Sequence, residues 1–357
     1  MTPGLLMKYL LILLLALSQQ ALSQKISWVN IPPQTDASFR GLSVVDDNVA
    51  WVSGTKGWVG KSKNGGKAWT FSQVKGFEKL DFRSIYAFNS KTAVIANAGS
   101  PAYILRTTDG GLNWKEVYRN NDTAAFFDGV DFWDNKRGTI FGDPIKGRML
   151  VLNTKDGGDS WRGIPEPHPG EELEGDPLFE AGESSFAASG TAIRCIEPGV
   201  VTIATGGTAA RLWSSLDTGV TWHNIETPMM HGRNSAGIFS FASIDNYYHV
   251  IIVGGDYKQD SLKTDHVFYK KHGDKDWRVP KVPTRGYREC VEAIGKNAVV
   301  ATGPSGTDIT YDGGETWQPL SEEKGLHVVR KSRKGNLVIL AGAGGKIVLL
   351  KYPAADH

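Results

Sequence analysis

The chain has 357 residues, of which 40 are lysine or arginine and 38 are aspartate or glutamate. That balance lacks the basic footprint of a nucleic-acid binder or of a protein held on an anionic membrane surface. Only two cysteines occur, Cys195 and Cys290, too few for a disulfide scaffold, and both are read as buried free thiols.

The first element in chain order is a leader. Lys8 supplies a positive start, Tyr9 to Leu17 an apolar run, and Ala21-Leu22-Ser23 a small-residue cleavage site. The apolar run is about half of the ~20 residues that span a bilayer, so residues 1–23 are expected to be removed. The mature protein, residues 24–357, is then exported, periplasmic or secreted, with no membrane span after cleavage.

A repeated turn follows. Ser62-Lys-Asn-Gly-Gly-Lys-Ala-Trp69, Thr107-Thr-Asp-Gly-Gly-Leu-Asn-Trp114, Thr154-Lys-Asp-Gly-Gly-Asp-Ser-Trp161, Ser215-Leu-Asp-Thr-Gly-Val-Thr-Trp222 and Thr310-Tyr-Asp-Gly-Gly-Glu-Thr-Trp317 share one pattern, S/T-x-D/N-x-G-x-x-W. Asp or Asn accepts backbone N–H groups in such a turn, and Gly supplies a positive φ. Trp277 closes a sixth, degenerate copy whose Lys270 to Asp276 has lost the key residues. Single carboxylates in turns tens of residues apart do not converge on one ion, so the role is structural and no metal site is expected.

Between turns, each repeat reads as four strands; in the first they are Leu42 to Val45, Ala50 to Ser53, Gly57 to Ser62 and Trp69 to Ser72. Four strands at this period make a propeller blade. Six tryptophans mark six blades, leaving Leu326 to Tyr352 with three strands and Ile26 to Ile31 with one. Joined, these make a seventh, so the fold class is all-β, a seven-bladed β-propeller whose N-terminal strand closes the last blade and removes exposed edges.

These D-G-G-x-x-W turns on a seven-blade count resemble the BNR or Asp-box superfamily, most closely the photosystem II stability/assembly factor-like exported proteins. The resemblance covers essentially the whole mature chain. It implies a sialidase-like superfamily fold whose members range from glycosidases to receptors and assembly factors. Against the sialidase pattern, Phe39-Arg40 is followed by Gly-Leu and not Ile-Pro. No dinucleotide fingerprint, haem motif or paired histidine spacing appears, so no cofactor is expected.

A site is expected on the face where the inner strands begin, called the top face below, opposite the repeated turns. Aligning inner strands puts Arg40, Arg83, Asp128, Thr191, Ala236, Glu289 and His327 in one ring. Arg40 and Arg83 suit a carboxylate ligand, and Asp128, Glu289 and His327 are candidates for proton transfer; the alternative is a channel filled by salt bridges and water. The insertion Gly163 to Gly190, with Glu166, Glu171, Glu172, Glu174, Asp176, Glu180 and Glu183, enters blade four as a candidate lid. Further candidates on top-face loops are Asp143, Arg211, Asp256 and Tyr257. Two functions stay open: a noncatalytic binding or assembly scaffold, monomeric, presenting its top face to a protein or glycan partner, or a carbohydrate-active hydrolase or lyase on an acidic glycan.

Overall fold

Seven antiparallel sheets succeed one another along the chain, as the tryptophan count requires. The computed structural model describes residues 26–164, 175, 177–244 and 249–352. The expected leader, residues 1–23, and the acidic residues Glu166, Glu171, Glu172, Glu174 and Asp176 lie outside the described residues. Among those described, no helix is long and apolar enough to cross a membrane.

Blade one runs outward from the axis as Phe39–Val44, Ala50–Gly54, Trp58–Ser62 and Thr70–Gln73. Its inner strand begins at Phe39, ahead of the expected Leu42, which draws Arg40 into the strand. Burial decreases outward: Ala50–Gly54 is buried throughout, whereas Thr70–Gln73 is mostly exposed. Inner strands are covered on both faces by neighbouring blades, so they read as near-continuous apolar runs, not as alternation. Phe39, Val52 and Trp69 of blade one thus share a core with Val328, Leu340 and Val348 of blade seven.

Blade seven is assembled as expected. Ser27–Ile31 pairs with Ile347–Lys351 from Ser27↔Lys351 to Ile31↔Ile347, completing the sheet of Leu326–Lys331 and Val338–Gly342. In blade five the degenerate turn leaves no regular outer strand, and a single bridge, Tyr269↔Arg278, stands in its place.

The repeated turns follow their expected chemistry. Asp109 Oδ1 accepts the Asn113 N–H at 3.0 Å and the Thr107 hydroxyl at 2.9 Å, and Thr107 Oγ1 accepts the Gly111 N–H at 3.0 Å. These bonds hold the Asp109 carboxyl down at about 2, led by the Asn113 amide. Trp69, Trp161 and Trp222 each donate their indole N–H to the carbonyl of the glycine three residues earlier. Gly111 has φ +86°, and a Cβ there would meet Trp51 of blade one at 3.2 Å. Thr218 occupies the matching position of the first turn glycine with φ 66°, which a β-branched residue tolerates poorly.

Candidate functional site

The top-face residues are aimed by a repeated irregularity. Arg40, Asp128 and His327 each fall at a register shift in the inner strand, between Phe39 and Gly41, Phe127 and Gly129, and Leu326 and Val328. A bulge leaves its extra residue unpaired and redirects the side chain. In blade five the shift falls between Ile238 and Ser240, so Phe239 takes the ring position. The expected alignment on Ala236 is corrected by three residues: Ala236 is fully buried and pairs regularly with Asp256 inside a strand that runs Arg233–Ile244.

One side of the mouth is a charged group spanning three blades. Glu289 Oε2 stands 3.2 Å from Arg40 Nη1 and 2.6 Å from His327 Nδ1. Burial by itself would raise the Glu289 pKa, but the Arg40 charge and the His327 hydrogen bond hold it below its ordinary value. Glu289 is therefore a carboxylate held in place by the Arg40 guanidinium and the His327 imidazole. His327 is 7% exposed and does not line the cavity described below.

The other side is aromatic. Phe186 stacks on Phe239 with centroids 3.9 Å apart at 9°, and Tyr287 and Tyr257 meet Phe239 edge-on at 4.7 and 6.3 Å. Offset and edge-on ring contacts stabilise such a cluster beyond area burial. Tyr287 is held by its N–H to Asp260 O, within the loop between His249–Asp256 and Val267–Lys270.

The second half of the insertion expected as a lid packs across the channel mouth as a plug. Ser185 donates its hydroxyl to Ala204 O at 2.7 Å and its N–H to Asp143 Oδ1 at 3.3 Å. Ala188 O accepts from Arg40 Nη1 at 2.7 Å, and Ser189 Oγ donates to Glu289 O at 2.9 Å. The segment thus crosses from blade four to blades one and six. Between plug and rim remains a cavity of about 490 Å³ lined by Arg40, Arg83, Asp143, Phe239, Tyr257 and Glu289 among others.

The other candidates fall outside this cavity. Asp128 is 0% exposed, and among the described residues neither carboxylate oxygen makes a hydrogen bond of good geometry. Burial and then the charge of Asp143 raise its pKa well above the carboxylate range; Arg83 and the Ala187 amide oppose this. Glu183 is consumed by structure: it accepts from Thr205, Trp213 and Arg211 at 2.7, 3.0 and 3.0 Å. Arg211 also pairs with Glu180 and Glu226. Asp256, 2% exposed, accepts the Lys258 N–H at 2.9 Å and faces Arg233 at 3.3 Å. Thr191 bonds Ser240 Oγ at 2.7 Å inside the channel.

The residues that the sequence alone does not single out are Phe186, Phe239 and Tyr287. Their one sequence signal is Phe239-Ser240, where a small residue follows the ring position as Gly41 and Gly129 do in other blades.

Fold and site together define a seven-bladed β-propeller with a ligand-sized recess at the mouth of its channel. The chain is similar to the photosystem II assembly-factor propellers, as its repeats imply: the family model described as Photosynthesis system II assembly factor YCF48 matches residues 20–123. The Photosystem II assembly lipoprotein Ycf48 of Synechococcus sp. (strain CC9902) is 24% identical over 135 residues, 38% of this chain and 39% of that relative. The match therefore spans about two-fifths of the relative's length. The solved structure of YCF48 bound to D1 peptide superposes with a TM-score of 0.63 at 15% identity, covering 93% of this chain and 97% of that one. YCF48 from Cyanidioschyzon merolae gives 0.63 at 16%, covering 91% and 98%. The Neurospora crassa Pan2 WD40 domain gives 0.61 at 12%, covering 92% and 97%. At these identities the structures share the fold.

Proposed function

We propose that this protein is an exported, noncatalytic binding and assembly propeller that holds a peptide segment of a protein partner in the top-face cavity. The observation that carries the reading is the pairing of one exposed tyrosine, backed by buried rings, with an available guanidinium. Tyr257 is 48% exposed beside Phe239. Arg83 uses only Nε for Asp81, at 2.7 Å, among the described residues, and its remaining N–H groups are suited to a peptide carboxylate. An aromatic anchor beside a charge-assisted pair is the chemistry of interface hot spots. The solved YCF48 bound to D1 peptide supports the same class of partner for a propeller of this kind.

The test is a randomised peptide library with free C-termini, screened beside the same library amidated. Binding that falls about tenfold in Tyr257→Ala and again in Arg83→Ala is expected, a loss of about 1.4 kcal/mol for each. Absence of any binder, or binders indifferent to both substitutions, would overturn the reading. Export is tested separately by N-terminal sequencing of the secreted protein, expected to start near Gln24.

One observation favours the enzymatic reading as a second choice. Asp143 and Glu289 both line the cavity, and their pKa values are pushed apart, Asp143 upward chiefly by burial and Glu289 downward, the pattern of an acid and base pair. Turnover of acidic oligosaccharides by the parent protein, lost in Asp143→Asn, would establish it.

A further inference from the structure

The far end of the channel holds a second recess, at the ends of the same inner strands whose starts form the top-face mouth. It encloses about 260 Å³ and is lined by four cationic side chains, Arg194, Arg330, Lys331 and Arg333, against two carboxylates, Asp131 and Glu292. Both carboxylates are already satisfied. Asp131 accepts the Phe132 and Cys195 N–H groups at 2.9 and 2.8 Å. Glu292 accepts Arg194 Nη2 at 2.8 Å and the Lys331 N–H at 3.1 Å.

Two donors of the recess are not satisfied. Arg330 Nη1 is buried and makes no hydrogen bond among the described residues; its nearest carboxylate oxygen, on Glu292, is 3.8 Å away. Ser243 Oγ, lining the same recess, is likewise buried and unpartnered among them. Burial and the charge of Arg194 depress the Arg330 pKa more than Glu292 and Asp131 raise it, so the side chain's charge is incompletely compensated. Arg333 is fixed at the rim, bonded to Ser43 Oγ at 3.0 Å and stacked 4.3 Å over the Tyr86 ring. A surplus of positive charge, two idle buried donors and a small volume have one common complement.

We propose that this recess is a binding site for a small oxyanion, a tetrahedral phosphate or sulfate or a compact carboxylate, held by Arg330 and Ser243 and neutralised by Arg194, Lys331 and Arg333. The volume lies below the ~300 to 1,000 Å³ of drug-sized sites, which sets the size of the ligand. It is independent of the top-face cavity and requires no partner protein.

The experiment measures thermal unfolding of the protein in phosphate, sulfate and acetate against chloride at equal ionic strength. At phosphate about tenfold above its dissociation constant, the midpoint is expected to rise by about 2 °C over chloride. Arg330→Gln is expected to weaken phosphate at least tenfold while leaving the chloride midpoint unchanged or higher, because it removes an incompletely compensated buried charge. Ser243→Ala provides a second test should Arg330→Gln not fold, and Tyr257→Ala, at the other mouth, should keep the full shift. A rise with acetate as well extends the site to carboxylates; a rise with phosphate and sulfate alone restricts it to tetrahedral anions. Equal midpoints in phosphate and chloride, or an undiminished shift in Arg330→Gln or Ser243→Ala, overturns the proposal.

Discussion

Replacing Asp128 by asparagine should make the protein more stable at neutral and alkaline pH and leave it unchanged in acid. The side chain is fully buried, its oxygens lack good hydrogen bonds among the described residues, and Asp143 adds like charge. Its folded pKa is therefore raised, while the unfolded chain ionises near pH 4. Between those two values the native state binds the proton and the unfolded state does not, so stability falls as pH rises through that window and stays reduced above it. An ionisable group buried without partners costs about 1 to 3 kcal/mol. At about pH 8 Asp128→Asn should recover that amount, about 2 to 4 °C in midpoint for a chain of this length. At about pH 3 both side chains are neutral and the midpoints should coincide. Calorimetry across that range is the assay. Equal stabilisation at both pH values, or destabilisation at the higher, would refute the reasoning.

Thr218→Gly removes a left-handed β-branched residue from the fourth repeated turn and should stabilise by about 0.5 to 1 kcal/mol, read by urea denaturation. Arg40→Ala leaves Glu289 buried with one cationic neighbour fewer and should cost about 3 kcal/mol in the same assay. Arg40→Ala combined with Glu289→Gln should cost clearly less, and equal costs would argue against the ion pair. Removal of residues 24–31 uncovers Ile347–Lys351 as a free edge. Light scattering should then show stronger concentration-dependent association than for the intact protein.

The seven blades and their closure were legible because each rests on local chemistry. A Ser or Thr, an Asp or Asn, a Gly and a Trp at fixed spacing make the same turn wherever they occur, and the hydrogen bonds of Asp109 or Asp156 involve only residues within four positions. Counting tryptophans then leaves three strands at Leu326 to Tyr352 and one at Ile26 to Ile31, and a closed ring has one place for them together.

The site obeys no such local rule. Arg40, Glu289 and His327 could be placed at one mouth by aligning inner strands, but their union into one charged group depends on three blades meeting across the axis. Glu183 and Arg211 look free in sequence and are spent on each other in space. The sequence places Ala236 in the ring because Gly237-Ile238 copies the local pattern. The register shift that promotes Phe239 instead is set by pairing with His249–Asp256, not by the residues beside it. The plug formed by Ser185 to Gly190 and the recess around Arg330 likewise arise only from packing between blades. Sequence by itself determined the repeating element and the number of its copies, because turns and strands are short-range. The tertiary structure decided which side chains converge, because a channel is lined by residues as far apart in the chain as they are close in space.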